Sequence, residues 1–174
     1  MRFRTMLLAA ILLLLSAPVL AQGPYAKYRK MVDKAPFIVI SKADFKLVLA
    51  DDKGDGIASY DICLAVNYGN KEKEGDHKTP EGVFAIREIL DATNFTHDFH
   101  DGRGPVKGSY GKWFMRLNVT NFRQIGIHGT DRPESIGTRA SEGCIRLTAE
   151  GIIDLKPRVK AGTPVIILKE GEKF

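Results

Sequence analysis

The 174-residue chain is 44% hydrophobic and 27% charged, a balance that suits one ordinary globular domain and excludes a disordered or fibrous chain. Its formal charge of +5 is scattered, with no run of five or more like charges. The nearest approach, Lys27, Arg29, Lys30 and Lys34, reads as a solvated helix face, so nucleic acid is not an expected partner.

At the start of the chain, Arg2 and Arg4 precede an apolar run from Met6 to Leu15, followed by Ser16-Ala17-Pro18-Val19-Leu20-Ala21. This is the layout of a secretory signal peptide. The run is shorter than the roughly 20 residues a membrane-spanning helix needs. Val19 and Ala21 stand where signal peptidase takes small residues, so cleavage is expected after Ala21, leaving an exported chain with no integral span. Gln22, not Cys, would be the new terminus, which argues against a lipoprotein anchor. A mature chain of roughly 150 residues buries about two-thirds of its unfolded surface and needs no covalent staple. The two cysteines, Cys63 and Cys144, therefore leave two readings open in an oxidising compartment: a structural disulfide, or two thiols with separate roles.

Residues 22–36 read as a helical or linker segment, with a short helix over Pro24 to Asp33 and Tyr25, Tyr28 and Val32 on one face. Beyond it, short apolar runs punctuated by glycine and aspartate predict a mainly β domain. Strands are expected at Phe37 to Ile40 and at the alternating Phe45, Leu47 and Leu49. The turn residues Asp51 to Gly56 then return the chain as a hairpin through Ile57 to Tyr60. That turn fails as a calcium loop, because Lys53 and Ile62 occupy ligand positions. Further strands are predicted at Ile62 to Val66, Val83 to Ile86, Trp113 to Leu117, Ile125 to His128 and Val165 to Leu168. A helix follows Thr148 as N-cap, carries Ile152, Leu155 and Val159 on one face, and ends at Gly162 and Pro164. Two long loops remain, Asn67 to Pro80 and Asp91 to Lys112.

The chemistry concentrates in Ile127-His128-Gly129-Thr130 and Ser141-Glu142-Gly143-Cys144-Ile145-Arg146. A histidine at a strand end and a cysteine on a returning loop make a candidate dyad, since a thiol nucleophile needs a base to receive its proton. The Gly143 and Cys144 amides are candidate oxyanion donors, a role typically worth about 10²–10³ in rate per donor. Arg146 is a candidate holder of a substrate carboxylate. Tyr110 and Trp113 either line the groove or fill the core. His97-Asp98-Phe99-His100-Asp101 offers ligand types, but no predicted helix places both imidazoles on one face, so it reads as a polar loop bordering the cleft and no metal is expected. His77 reads as a loop residue near the site.

These motifs resemble the L,D-transpeptidase catalytic domain (YkuD-type), whose pattern is a His-Gly pair followed by Ser/Thr-His-Gly-Cys and an Arg or Asn two residues on. Phe37 to Ala50, Gly75-Asp76-His77-Lys78-Thr79-Pro80-Glu81-Gly82-Val83-Phe84 and Gly162-Thr163-Pro164-Val165 extend the likeness. The resemblance implies a β-sandwich or curved mixed sheet over residues 37–169, with one or two short helices and a tail at 170–174. It also implies a periplasmic or cell-envelope enzyme, acting as a monomer without cofactor on peptidoglycan stem peptides, with an envelope lipoprotein as a further potential partner. Carried across, Cys144 attacks the bond joining the stem's third residue to D-Ala, His128 is base and then acid, and the Gly129 carbonyl orients the imidazole. A second stem amine resolves the acyl-enzyme to a 3→3 cross-link. Ser141, Glu142, Thr130, Tyr110, Trp113 and Arg146 are the expected substrate contacts. Glu142 departs from the pattern's histidine, which leaves the acceptor open between amine and water. The rival readings are an L,D-carboxypeptidase or related hydrolase, and a non-catalytic wall-binding module.

Overall fold

The computed structural model describes residues 22–99, 102 and 104–174; the proposed leader, His100, Asp101 and Arg103 lie outside that range. In chain order come a short helix α1 (Ala26–Arg29), strands β1 (Phe37–Ser41), β2 (Lys46–Ala50), β3 (Gly56–Asp61), β4 (Leu64–Ala65), β5 (Gly82–Asp91), β6 (Thr96–Asp98) and β7 (Pro105–Lys107). Strands β8 (Trp113–Leu117), β9 (Gly126–His128), β10 (Arg139–Ser141) and β11 (Ile145–Arg146), helix α2 (Ala149–Leu155) and β12 (Pro164–Ile167) follow. Eight strands form one mixed sheet in the order β11-β9-β8-β5-β12-β1-β2-β3, and β10-β4 and β6-β7 form two ribbons. The class is mainly β with short helices, as the sequence predicts. No helix among the described residues is long and apolar enough to cross a membrane.

Period-2 alternation explains the core. In β1, Ile38 and Ile40 join Leu47, Leu49, Val165 and Ile167 in the larger cluster, while Phe37 and Val39 join Ala50, Ile166 and Leu168 on the other face. The parallel pair β1–β12 (Ile38 opposite Val165) is thus buried on both sides. Tyr28 fills the second cluster, and Tyr25 meets the Phe174 ring edge-on at 5.2 Å. Phe174 is thereby packed against the second cluster, while residues 171–173 stay exposed.

Several expected elements change length. Helix α1 is four residues long, because the backbone around it is spent on the β2–β3 turn, where the Gly23 and Tyr25 amides donate to Lys53 O (3.2 Å) and Gly54 O (3.0 Å). In the same turn Asp51 Oδ1 accepts from the Lys53 and Asp55 amides at 2.9 Å. Helix α2 starts where expected, with Thr148 Oγ1 accepting the Gly151 amide at 3.0 Å. It yields to a 3-10 turn at Lys156–Arg158, where Pro157 has no amide to continue the ladder, so Val159 is buried from outside the helix. The expected strand over Ile62 to Val66 contracts to two residues, and Cys63 instead bridges Arg146 in an isolated pair. The loop after Asp91 carries the unpredicted ribbon β6–β7, with His97 opposite Val106.

The other long loop, 67–80, is held from within. Asp76 accepts Lys71 Nζ (2.7 Å) and the amides of Glu72 (2.7 Å), Lys73 (3.0 Å) and Lys78 (3.1 Å). Burial works against the charge, but these donors hold the carboxyl well below the usual carboxylate range. Lys42, wholly buried, ties the same loop to the sheet through Gly69 O (2.8 Å) and Glu81 (2.9 Å).

Candidate active site

His128 ends β9, and the parallel pairing of β9 with the edge strand β11 sets Arg146 beside His128 and Ile145 beside Ile127. Cys144 immediately precedes β11. Behind β11, the Cys63 and Arg146 backbones exchange two hydrogen bonds (2.8 and 3.0 Å), and the Leu147 amide donates to His128 O at 2.8 Å. The strand that follows the thiol is thereby clamped on both sides. Cys63 is buried and both cysteines are free thiols, which resolves the disulfide alternative.

His128, Cys144, Arg146, Ser141, Glu142, Gly143 and Tyr110 all line one cavity of about 360 Å³. Gly129 contributes from its backbone: His128 Nδ1–H donates to the Gly129 carbonyl at 2.5 Å, which leaves the Nε2 lone pair as the proton acceptor. Room for that carbonyl depends on glycine. A Cβ on Gly111 would lie 2.9 Å from Gly129 Cα, so the two backbones touch as only unsubstituted residues can. The ring lies parallel to Phe114 (12°, centroids 5.4 Å), and the Tyr110 ring is 4.8 Å away.

Burial in this aromatic setting pushes the His128 pKa down to about 3; Gly129 opposes the shift, and the charges of Arg146 and His97 add to it. Burial likewise pushes the Cys144 thiol up to about 11, against the Gly126 amide and the Arg146 guanidinium, with Glu142 adding to the rise. Both groups rest neutral, and Cys144 Sγ–H donates to Gln124 O at 3.3 Å. The backbone before the thiol is set by Ser141, whose hydroxyl donates to Cys144 O (2.6 Å) and accepts the Gly143 amide (3.3 Å). The Gly143 amide therefore already has a partner. Gly143 itself sits at φ +150°, and a Cβ there would come 2.9 Å from Ile125 Cδ1.

Arg146 is 7% exposed, and its side chain faces the cavity, 5.8 Å from the Phe99 ring, with no hydrogen bond or ion pair among the described residues. A buried guanidinium with no partner is costly unless an anion completes it. Two expected contacts lie elsewhere. Trp113 does not line the cavity: Phe114 pairs with His128 across β8–β9, and alternation sends its neighbour to the other face, against the main core and under Lys156 Nζ at 4.9 Å. Thr130 is also off the cavity, its Oγ1 accepting the Arg132 amide at 3.1 Å in the following turn. Conversely, Phe114, Lys71 and Gln124 belong to the site and carry no sequence signal, because only cross-strand register and loop closure bring them there. His97 does border the cleft, paired to Tyr110 and Glu142. Among the described residues no three His, Cys, Asp or Glu gather as metal ligands.

A mainly β domain presenting a cysteine, a backbone-oriented histidine and a buried arginine in one cavity is equipped for acyl transfer through a thioester. The sequence model of the L,D-transpeptidase catalytic domain family matches residues 35–167, and the chain belongs to that family. A candidate L,D-transpeptidase of Bacillus subtilis, YqjB, is 28% identical over 141 residues, covering 80% of this chain and 74% of its own. A second B. subtilis relative, YkuD, is 40% identical over 60 residues, 34% of this chain and 35% of its own. Among solved structures, the catalytic domain of the Enterococcus faecium L,D-transpeptidase superposes with a TM-score of 0.56 at 20% identity, over 78% of this chain and 98% of that one. An avibactam carbamoyl enzyme of the same kind reaches 0.57 at 24%, over 81% and 51%. At such identities the two structures establish the shared fold.

Proposed function

We propose that the chain is exported, loses residues 1–21, and acts through its 37–169 domain as a cysteine-dependent L,D-transpeptidase on peptidoglycan stem tetrapeptides. The observation that carries this reading is the meeting in one cavity of Cys144, His128 and Arg146, whose guanidinium has no carboxylate partner among the described residues. Arg146 takes the terminal carboxylate of the donor stem. Because thiol and imidazole both rest neutral, no thiolate waits in the empty site. The Sγ–H proton moves to His128 Nε2 as sulfur attacks the carbonyl carbon before D-Ala. The C–N bond then breaks, His128 returns the proton to the departing amine, and a thioester on Cys144 remains. The Cys144 amide is the oxyanion donor, since the Gly143 amide is occupied by Ser141. A stem amine from a second chain resolves the thioester to a cross-link.

The test is mass spectrometry of the mature protein incubated with disaccharide-tetrapeptide, beside Cys144→Ala. A Cys144-dependent dimer lacking one D-Ala is expected. Tripeptide with free D-Ala would assign a carboxypeptidase instead. Unchanged substrate with no acyl-enzyme from either the peptide or a carbapenem would refute catalysis and leave a binding module.

A further inference from the structure

Two residues before the nucleophile, the Glu142 side chain stands 47% exposed at the cavity wall, with Oε1 3.4 Å from His97 Nε2. His97 is held in turn, because its Nδ1 is 3.1 Å from the Tyr110 hydroxyl. The imidazole thus lies between the two side chains, one ring nitrogen facing Glu142 and the other the Tyr110 hydroxyl. Glu142 is thus held at the cavity wall by its contact with His97. The charges around it are accounted for differently. Lys71 is neutralised by Asp76, each side chain being 5% exposed, whereas Arg146 has no carboxylate partner among the described residues. The cavity therefore holds a buried Arg146 with no carboxylate partner among the described residues and a half-exposed Glu142 carboxylate, four positions apart on the segment that bears the thiol.

We infer that Glu142, aimed by His97, selects the acyl acceptor: it binds the ammonium of an incoming primary amine and directs the Cys144 thioester to aminolysis over hydrolysis. The inference rests on the acyl-enzyme proposed above and adds to it the residue that decides the acyl group's fate. A carboxylate favours an ammonium over neutral water through a charge-assisted hydrogen bond, and it concentrates the amine beside the thioester. The arriving ammonium releases one proton to solvent. Its nitrogen then forms the C–N bond, the C–S bond breaks, and the second proton passes through His128 to sulfur, restoring the neutral thiol. Amide and free enzyme are the products, with no oxidant or co-reactant consumed.

The experiment is the ratio of amide to hydrolysis product formed from one donor peptide by the full mature chain. Because the ratio is normalised to each protein's own acyl-enzyme, differences in acylation rate cancel. With a cationic primary amine as acceptor, Glu142→Gln, which keeps the hydrogen-bonding shape and removes the charge, lowers the ratio about tenfold. Glu142→Asp restores part of it. With hydroxylamine, which is uncharged at neutral pH, Glu142→Gln leaves the ratio unchanged, an outcome that a purely structural role would not produce. Glu74→Gln, which removes a carboxylate from another part of the same rim, leaves both ratios alone. An unchanged ratio with the cationic amine in Glu142→Gln, or equal losses with both acceptors, would overturn the inference while the acyl-enzyme reading stood. Absence of any acyl-enzyme in the unmodified protein would remove that reading and this inference with it.

Discussion

Neutral burial of His128 has a thermodynamic consequence that can be measured without substrate. In the folded protein its pKa lies near 3, against 6.5 for the free imidazole. The unfolded chain therefore binds the extra proton first as pH falls, and stability contributed by the neutral form is lost progressively below 6.5. Each pH unit inside that window costs about 1.4 kcal/mol. At pH 4.5, two units below the unfolded value and above the folded one, the penalty is about 2.7 kcal/mol, against about 0.2 kcal/mol at pH 7. The comparison is urea unfolding of the unmodified mature protein and of His128→Asn at both pH values. Asn carries no titrating group, so the variant loses about 2.5 kcal/mol less stability between pH 7 and 4.5 than the parent. Whatever Asp76 and other groups contribute to acid sensitivity is common to both proteins and cancels in the difference. Equal losses in the two would show that His128 is not held neutral, and the description of its Nε2 as a ready proton acceptor would fail with it.

The other predictions concern Cys144 and Arg146. With the thiol raised to about 11 by burial, iodoacetamide labelling of the substrate-free protein is slow at neutral pH. It quickens about tenfold per pH unit from 7 to 10, as the thiolate fraction does; a rate already at plateau by pH 7 would mean a preformed thiolate. Arg146→Gln raises KM about tenfold or more for a tetrapeptide with a free terminal carboxylate and leaves KM unaltered for the same peptide amidated at that end. An equal rise for both peptides in steady-state kinetics would place the guanidinium in a structural role.

Much of this protein is local and was therefore legible along the chain. Alternating Leu47 and Leu49, the turn from Asp51 to Gly56 and the return through Tyr60 define a hairpin because adjacent strands and a tight turn need only neighbouring residues. Thr148 caps α2 for the same reason, its hydroxyl reaching an amide three residues on. Cys144 and His128 stood out because few residue types can attack a carbonyl and manage the proton. Pro157 is an equally local stop signal, although the apolar stripe continues past it to Val159.

What tertiary structure decided is long-range. Only the β8–β9 register turns Phe114 toward His128 and Trp113 away from it, since one step along a strand exchanges its faces. Only packing converts an ordinary imidazole and thiol into a neutral pair, because pKa depends on the water and charges removed around each group. Likewise, only closure of the β6–β7 ribbon over the cavity brings His97 from 45 positions upstream to aim Glu142. The chain by itself specifies which groups can do chemistry; their burial, orientation and partners come from surfaces that meet only when the sheet is assembled.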